Sequence, residues 1–252
     1  MIYLFGHKGF VGTGIGLRLQ DHGIEYIGID RENYDLYKGS RCDLFINAAG
    51  NSKKFLAAQD PQLDFQMNVA DVMRSLSDFQ YGTYIYLSTI DVYDDHEHPE
   101  NNAEDTTIDP VHLSNYGFHK RLAELLVMRH AQHWLILRLG GMVGPGLKKN
   151  AIYDLQHGGK LYINPKSAYQ YISTLDVGEA ILRLKDSDKE MFNVCGDGTI
   201  TPEQIADWLG KELPADSSTL PRETYLVNIG KLKEAMRVKT SEETVRAFLH
   251  VP

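Results

Sequence analysis

The chain has 252 residues, of which 42% are hydrophobic and 24% are charged, and its formal net charge is −8 at pH 7. This length and composition suit a globular protein with one large α/β domain and a sizeable core. The negative charge argues against a nucleic-acid partner, because phosphate backbones bind basic surfaces. It still allows a small anionic ligand at a local positive patch.

The chain carries no sign of a secreted or membrane protein. No apolar run approaches the roughly 20 residues that cross a bilayer. Cys42 and Cys195 lie in apolar, strand-like runs, which favours buried thiols in a reducing compartment over a disulfide framework. Residues 1–5 enter a strand-like run without a cationic leader. We therefore expect a cytoplasmic protein with no membrane partner.

Short apolar runs alternate with helical patterns along the first half of the chain. This alternation predicts a parallel sheet covered on both faces. The sequence predicts strands over residues 1–5, 26–30, 43–48 and 84–88, and helices over about 11–23 and 69–79. Residues 94–110, rich in Asp, Glu, His and Pro, are predicted to form a loop.

The second half continues the pattern and then loosens after Gly140. A helix is predicted over about 115–131, a strand over 134–139, a short helix over 150–156, a helix over 175–185 and a strand over 191–195 that returns to the main sheet. Thr201 and Pro202 predict a capped helix start. The charges from Lys231 to Arg246 predict one exposed helix face.

We expect one compact α/β unit, with a Rossmann-type, doubly wound parallel sheet and a small C-terminal lobe. Residues of about 1–144 and 170–198 are expected to form the core, and about 145–169 and 199–252 the lobe. The segment between Asp30 and Asp43 is short for this fold, so a strand or helix is expected to be missing there.

Residues 6–12, GHKGFVG, follow the first strand and open a helix. Gly6 permits a tight turn, Gly9 lets the backbone approach a pyrophosphate, and Gly12 allows close packing of the helix. The free N–H groups and positive dipole end of the helix, at Phe10 and Val11, favour phosphates. A glycine-rich turn without a ligand is the alternative.

The end of the second strand bears on which dinucleotide binds. Asp30 is placed to accept hydrogen bonds from an adenosine ribose, which favours NAD and repels a 2′-phosphate. Arg31 and Lys8 are instead suited to hold that phosphate, so NADP stays open. We favour NAD because Asp30 occupies the ribose-binding position.

Tyr116 and Lys120 are four residues apart on one predicted helix and therefore lie on one face. A nearby ammonium favours phenolate, so we expect a lowered Tyr116 pKa and an acid or base active near neutral pH. The alternative interpretation is a surface tyrosine and a solvated lysine without a catalytic role. Thr89 adds weight, because it follows the strand 84–88, and ligands of parallel sheets bind at the carboxyl ends of strands.

The ordered set of motifs resembles the extended short-chain dehydrogenase/reductase superfamily, and within it the NAD-dependent epimerase/dehydratase family. The resemblance covers residues 1 to about 198. It rests on GHKGFVG at 6–12, DLFINAAG at 43–50, DPQLDFQMNV at 60–69, YLSTIDVYD at 86–94, YGFHK at 116–120, LRLGGMVGPG at 137–146 and YQYISTLDVGEAI at 169–181.

The resemblance implies roles for single residues. Thr89 is the family's catalytic hydroxyl and Tyr116 its acid/base, while Lys120 holds the nicotinamide ribose and tunes Tyr116. Ala48 and Ala49 line the cofactor, and Asn68 braces that wall. The resemblance also implies a homodimer through the helix that carries Tyr116.

The chain also departs from the family pattern. Gly141 and Tyr169 stand where members that bind nucleotide diphosphates often carry Asn and Arg, although Lys148, Lys149 or Arg222 offer compensating charges. Ile90-Asp91 replaces the Asp-Glu of dehydratases, which makes a standard dehydration a poor fit.

These features predict an NAD(P)-dependent oxidoreductase or epimerase that acts on a sugar, with a nucleotide-linked sugar favoured. A reductase of a smaller carbonyl compound and a non-catalytic NAD(P) sensor are the rivals. No metal site is predicted, because the acidic and histidine-rich run 94–98 lies in a polar loop without a partner cluster.

Overall fold

In a computed structural model, which describes residues 1–213 and 215–251, the chain is an α/β protein built on one parallel sheet. Its strands are β1 (Ile2–Phe5), β2 (Tyr26–Ile29), β3 (Arg41–Asn47), β4 (Gln80–Thr89), β5 (Trp134–Leu139), β6 (Gly141–Val143), β7 (Ala168–Tyr169), β8 (Tyr171–Ser173), β9 (Glu190–Val194) and β10 (Thr224–Tyr225).

The α-helices connect and cover these strands. They are α1 (Phe10–Asp21), α2 (Tyr34–Tyr37), α3 (Lys54–Gln59), α4 (Pro61–Phe65), α5 (Asp71–Asp78), α6 (Asn115–His130), α7 (Ala151–His157), α8 (Thr174–Leu184), α9 (Pro202–Leu209), α10 (Gly230–Ala235) and α11 (Ser241–Leu249).

The central sheet has six parallel strands in the order β2-β1-β3-β4-β5-β9. Helices α1 and α8 contribute Ile15 and Ile181 to one buried cluster, and α5 and α6 contribute Leu76 and Val127 to another. Every residue of β5 is buried, as expected for an apolar run between two helical layers. The doubly wound α/β fold is therefore confirmed, as is the return of residues 190–194 to the main sheet.

The sheet ends at β2, because the segment between β2 and β3 is short. Residues 30–40 hold the single helical turn α2 and no strand. The chain then enters β3, which pairs with the far side of β1. The expectation of a missing element in this segment is confirmed.

The segment before α5 differs from the sequence expectation. Only a helix over about 69–79 was expected, whereas helical structure begins at Lys54. Asp60 caps α4 by accepting the Leu63 N–H at 3.0 Å, and Pro61 occupies the first position. A π-helix, Gln66–Ala70, then joins α4 to α5. Such π-bulges often occur at functional sites.

The C-terminal residues pack around a third buried cluster, which includes Ile152 of α7, Ile205 of α9 and Val245 of α11. The stretch from Lys231 to Arg246, where an exposed helix face was expected, holds two helices, α10 and α11. Thr240 begins the second helix, because its side chain and that of Glu243 cap each other's backbone N–H groups.

Within residues 1–213 and 215–251, no helix combines the length and apolar character needed to cross a membrane. The same ranges hold no group of three or more His, Cys, Asp or Glu side chains placed to bind a metal ion.

Candidate active site

The glycine turn lies between β1 and α1, at the carboxyl edge of the sheet. Gly6 has a φ of +85°, which a glycine adopts without strain. A Cβ on Gly12 would lie 2.2 Å from the Gly6 carbonyl oxygen, so no side chain fits where the helix meets the turn. Gly9 caps α1 without a side-chain hydrogen bond, which leaves the first N–H groups of the helix for an anion.

A cavity of about 480 Å³ opens beside this turn. Six of the predicted cofactor residues line it: Gly6, Gly9, Asp30, Arg31, Ala48 and Ala49. Phe10 and Val11 occupy the first turn of α1. Bare backbone, a helix N-terminus and an acidic group at the end of β2 together fit the pyrophosphate and ribose of a dinucleotide.

The Asp30 carboxylate is held by three sets of contacts. It pairs with Lys8 at 2.6 Å and lies 3.4 Å from the His7 ring, and it accepts the N–H groups of Glu32 at 2.8 Å and Asn33 at 3.3 Å. The Lys8 hydrogen bond is the largest of the effects that lower the pKa of Asp30 to about 2. Lys8 is thus engaged by carboxylates and lines an open groove at the β2 edge instead of the 480 Å³ cavity.

Thr89 and Tyr116 meet at the carboxyl edge of the sheet. Thr89 ends β4, and Tyr116 lies in the first turn of α6, which Ser114 caps by accepting the Gly117 N–H at 3.2 Å. The two side chains are buried, and Thr89 is near enough to Tyr116 to lower the pKa of its phenol. The structure therefore brings together the hydroxyl and the phenol that the sequence singled out.

The ionisation of Tyr116 differs from the sequence expectation. Burial is the main cause that raises the pKa of Tyr116 above its usual value, and Asp91 raises it further, while Lys54 and Thr89 lower it. The predicted lowering by Lys120 is thus wrong for this structure. Burial lowers the pKa of Lys120 to about 7, so the charge of this ammonium is itself weakened near neutral pH.

Lys120 is fixed below the sheet edge. Its Nζ donates to the Leu87 carbonyl at 2.7 Å and lies 4.4 Å from the centre of the Tyr86 ring. The side chain is 5% exposed. These contacts hold the ammonium within the layer between β4 and α6, one helical turn after Tyr116.

Asn68 lies in the π-helix and packs against Gly50, the residue after Ala49. A Cβ on Gly50 would lie 2.5 Å from the Asn68 Oδ1, and that oxygen is buried without a hydrogen-bond partner. Its amide donates to Asp64 at 2.8 Å. Asp64 also contacts the His119 Nδ1 at 2.6 Å, which ties the π-helix to α6. Sequence reasoning missed Asp64 and His119, although His119 lies inside the YGFHK motif.

A second cavity, of about 340 Å³, faces Thr89 from the C-terminal side. Tyr169, Tyr171 and Tyr225 line this cavity with aromatic rings, and we name it the aromatic cavity. The rings of Tyr169 and Tyr225 stack with centres 5.4 Å apart, and the Tyr169 hydroxyl donates to Glu223 at 2.8 Å. Gly141 also lines the cavity, and a Cβ there would lie 2.7 Å from the Gln170 carbonyl oxygen.

The comparison with family models decides the family. Residues 2–195 match the model of the NAD dependent epimerase/dehydratase family. The chain belongs to this family. The predicted resemblance is therefore confirmed, and the family supports the predicted cofactor class, a nicotinamide adenine dinucleotide. No curated protein sequence matches the chain.

Solved structures share the fold of this family member over nearly its whole length. MoeE5 in complex with UDP-glucose and NAD superposes with a TM-score of 0.81 at 16% identity, covering 99% of this chain and 97% of that one. A UDP-galactose 4-epimerase gives 0.80 at 22%, covering 98% and 96%. The dTDP-4-dehydrorhamnose reductase of Bacillus anthracis, in complex with NADP, gives 0.80 at 13%, covering 99% and 97%.

One part of this family member's site was not predicted. Lys54 of α3 and Tyr225 of β10 converge on Asp91, which follows Thr89 by two residues. Asp91 stood out in the sequence only as a departure from the dehydratase motif. Lys54 and Tyr225 carry no sequence signal, because they come from a short helix and a two-residue strand far apart in the chain.

Proposed function

We propose that this chain is an NAD(P)-dependent oxidoreductase or epimerase that acts on a sugar by hydride exchange, with Tyr116 as its acid/base. The observation that carries the proposal is the buried pair of Tyr116 and Thr89 at the carboxyl end of β4. It lies between the glycine turn and the aromatic cavity. Membership of the NAD dependent epimerase/dehydratase family supports it.

The proposed chemistry divides between the cofactor and the chain. When bound, the nicotinamide supplies or accepts the hydride. Thr89 orients the substrate oxygen that changes between alcohol and carbonyl. Tyr116 moves the proton at that oxygen, and its raised pKa keeps it protonated and ready to donate to a developing alkoxide. Lys120 holds the nicotinamide ribose from the layer below.

We propose NAD over NADP. Asp30 lines the 480 Å³ cavity with its carboxylate charged, which repels a 2′-phosphate. Lys8, one of the two cations that favour NADP, is already neutralised by Asp30 and Glu32. Arg31 is the remaining cation of that pair and lines the same cavity.

A nucleotide-linked sugar is the proposed substrate, bound between the core and a lobe of about residues 145–169 and 199–252. The solved relatives with UDP-glucose and UDP-glucuronic acid support this class. Lys149 is one of the compensating cations, and its Nζ donates to the Ser52 carbonyl at 3.0 Å.

A smaller carbonyl compound is the second candidate. Tyr169 stands where family members often carry Arg, and its hydroxyl is bound to the Glu223 carboxylate. This end of the cavity therefore presents an aromatic ring and a negative charge, both of which disfavour a diphosphate.

The homodimer through α6 also remains a proposal. Leu125 and Met128 lie three residues apart on α6 and are 42% and 37% exposed. Such positions share one helix face, and burial of an apolar face against a second copy is favourable. Sedimentation at equilibrium tests this proposal, and a monomer at micromolar concentration contradicts it.

A label-transfer experiment tests the function. The protein is incubated with nicotinamide cofactor deuterated at the hydride position and with a panel of nucleotide sugars and small carbonyl compounds. We expect deuterium in the product of one nucleotide sugar, or conversion of one nucleotide sugar into its epimer, in which the substrate's own hydride returns and no label is transferred. Label in a small alcohol alone favours the second candidate. Firm cofactor binding with neither label transfer nor epimer formation favours the non-catalytic sensor and contradicts the proposal.

A further inference from the structure

Three buried polar side chains converge on the carboxylate of Asp64, in α4. Its Oδ1 accepts hydrogen bonds from the side-chain amides of Asn51, at 2.6 Å, and Asn68, at 2.8 Å. Its Oδ2 lies 2.6 Å from the Nδ1 of His119. All four residues are buried, Asp64 completely. We name these four residues the Asp64 cluster.

The carboxylate determines how its partners are oriented. A carboxylate only accepts hydrogen bonds, so both amides must turn their NH₂ groups towards Asp64. For the same reason the His119 ring must carry a proton on Nδ1. The side-chain oxygen of Asn68 then lies against Gly50, where a Cβ would be 2.5 Å away. Asp64 therefore fixes the orientation of two amides and one imidazole.

One of these amides belongs to the wall of the 480 Å³ cavity. Ala48, Ala49 and Gly50 line this cavity, and Asn51 is the next residue. The Asn51 oxygen accepts the Lys53 N–H at 2.8 Å, and its NH₂ group donates to the Lys53 carbonyl at 2.9 Å as well as to the carboxylate. The side chain of Asn51 thus closes the turn after the wall and ties it to the buried cluster.

His119 connects the same cluster to the helix of the proposed acid/base. It lies in α6 between Tyr116 and Lys120, and it is 55 residues from Asp64 in the chain. The Phe65 ring packs edge-on against the His119 ring, with ring centres 5.5 Å apart. The Asp64 cluster therefore joins the cavity wall, the π-helix and α6 into one packed unit.

A buried network of this kind is costly to break. A buried donor left without an acceptor costs more free energy than the average hydrogen bond contributes. Without Asp64, the NH₂ groups of Asn51 and Asn68 and the Nδ1 proton of His119 would have to find other partners or water. The wall would then be free to move with Asn51. Affinity for a ligand falls in proportion to the fraction of molecules whose binding site is correctly formed.

We propose that Asp64 and His119 are positioning residues, which hold the wall of residues 48–50 in the place where the dinucleotide binds. The inference rests on the proposed function, in which the 480 Å³ cavity holds the dinucleotide. It does not depend on the role of Tyr116. Asp64 and His119 act through Asn51 and Asn68 and need not touch the cofactor.

Calorimetry with NAD on the whole protein tests the proposal. Asp64→Leu removes the acceptor of all three donors, and we expect the Kd for NAD to rise roughly 10-fold to 100-fold, the range for one hydrogen bond to a charged group. Asp64→Asn is the conservative variant, because its oxygen can accept both amides and its NH₂ group can donate to the other tautomer of His119. We expect its Kd to stay within about threefold of the wild-type value.

Glu104→Leu is the matched control, because Glu104 is also a buried carboxylate and accepts the backbone N–H of Asn193, on β9. It should lower the melting temperature and leave the Kd unchanged. If Asp64→Leu fails to fold, His119→Leu should raise the Kd, and His119→Asn should restore it by keeping an N–H group at the place of Nδ1. A wild-type Kd in the folded leucine variants would show a merely structural role and overturn the proposal.

Hydrogen exchange without cofactor separates this proposal from the proposed function. The N–H groups of Ala49 and Lys53 are hydrogen-bonded to asparagine side chains, so their exchange reports local opening of the wall. Relative to the N–H groups of β5, we expect both to exchange at least about tenfold faster in Asp64→Leu, and at the wild-type ratio in Glu104→Leu. Equal ratios in Asp64→Leu and the wild type overturn the proposal. Faster exchange in a protein that binds neither NAD nor NADP leaves the role of the cluster standing and refutes the proposed function alone.

Discussion

The glycine turn and the aromatic cavity lie at the same edge of the sheet and are built from different materials. Around the turn, five glycines and alanines line the cavity together with larger side chains and three carboxylates, Asp30, Asp35 and Asp71. The aromatic cavity is lined by tyrosines and by charged side chains from segments as distant as Lys54 and Glu223.

This difference separates two kinds of recognition. A dinucleotide contacts backbone N–H groups, so almost any side chain added at the turn removes the site. The aromatic cavity, which we propose binds the substrate, depends on side-chain pairs such as Tyr169 with Glu223, which can be exchanged one at a time. We therefore expect a substitution at the turn to abolish dinucleotide binding altogether. A substitution in the aromatic cavity should instead have a graded effect on recognition of the substrate.

Gly9→Val is expected to have the largest effect. Its Cβ would meet only the Gly6 carbonyl oxygen, at 3.1 Å, and its φ of −74° suits any residue. The protein should therefore fold with little change in its melting temperature, while calorimetry detects no dinucleotide binding. In Gly12→Val, by contrast, the Cβ lies 2.2 Å from the same oxygen, so we expect loss of folding. Unchanged cofactor affinity in Gly9→Val would remove the turn from the site.

Lys120, between the two regions, gives a prediction about pH. Its pKa is about 7 in the folded protein, against 10.5 as its ordinary value. Between these values the unfolded chain binds more protons, so this lysine makes the free energy of unfolding rise with pH, by at most ~1.4 kcal/mol per pH unit. In Lys120→Met that rise should be absent. The lost bond to Leu87 contributes only a pH-independent difference.

Urea denaturation at pH 7, 8 and 9 measures this effect. Lys185→Met is the matched control, because that lysine lies at the surface, paired with Asp186. The difference in the free energy of unfolding between Lys185→Met and the wild type should stay constant over the same pH range. If the difference in the free energy of unfolding between Lys120→Met and the wild type is also constant, the charged form of Lys120 is not penalised by burial.

The smallest expected effect is the difference in thermal stabilisation between NAD(H) and NADP(H). At a concentration of 100 times Kd, a ligand adds about 2.7 kcal/mol to stability, which raises the melting temperature of a protein of this size by roughly 5–10 °C. Asp30 should make NAD(H) reach this shift at lower concentration than NADP(H). Thermal denaturation with each cofactor measures it. An equal or greater shift with NADP(H) would mean that Arg31 outweighs Asp30.

Local sequence patterns made the glycine turn and the central strands predictable. The turn at residues 6–12 is contiguous, and the bounds expected for β5 agree with the structure because an apolar run between two helical layers has clear ends. Thr89 and Tyr116 were found because each follows a strong element signal, and parallel strands bring their carboxyl ends together.

The elements and contacts around the aromatic cavity could not be predicted from the sequence, for physical reasons. Helices α3 and α4 are too short to show a hydrophobic period, and a π-helix has no simple sequence signature. The contacts of Lys54 and Tyr225 with Asp91 join residues 37 and 134 positions apart, so only tertiary packing creates them. The raised pKa of Tyr116 likewise follows from burial, which spacing on a helix does not reveal.

Turnover by Tyr116→Phe tests the central claim most directly, with the substrate that the label-transfer panel identifies. The change keeps the buried ring and deletes the proton that must move with the hydride. We predict a fall in kcat of at least 10²-fold to 10⁴-fold, as for other lost general acids, with unchanged cofactor affinity. Tyr84→Phe, which removes another buried hydroxyl bonded to Asn47 and Ser75, should lower stability and leave turnover within a few-fold. Turnover that survives in Tyr116→Phe would contradict the mechanism.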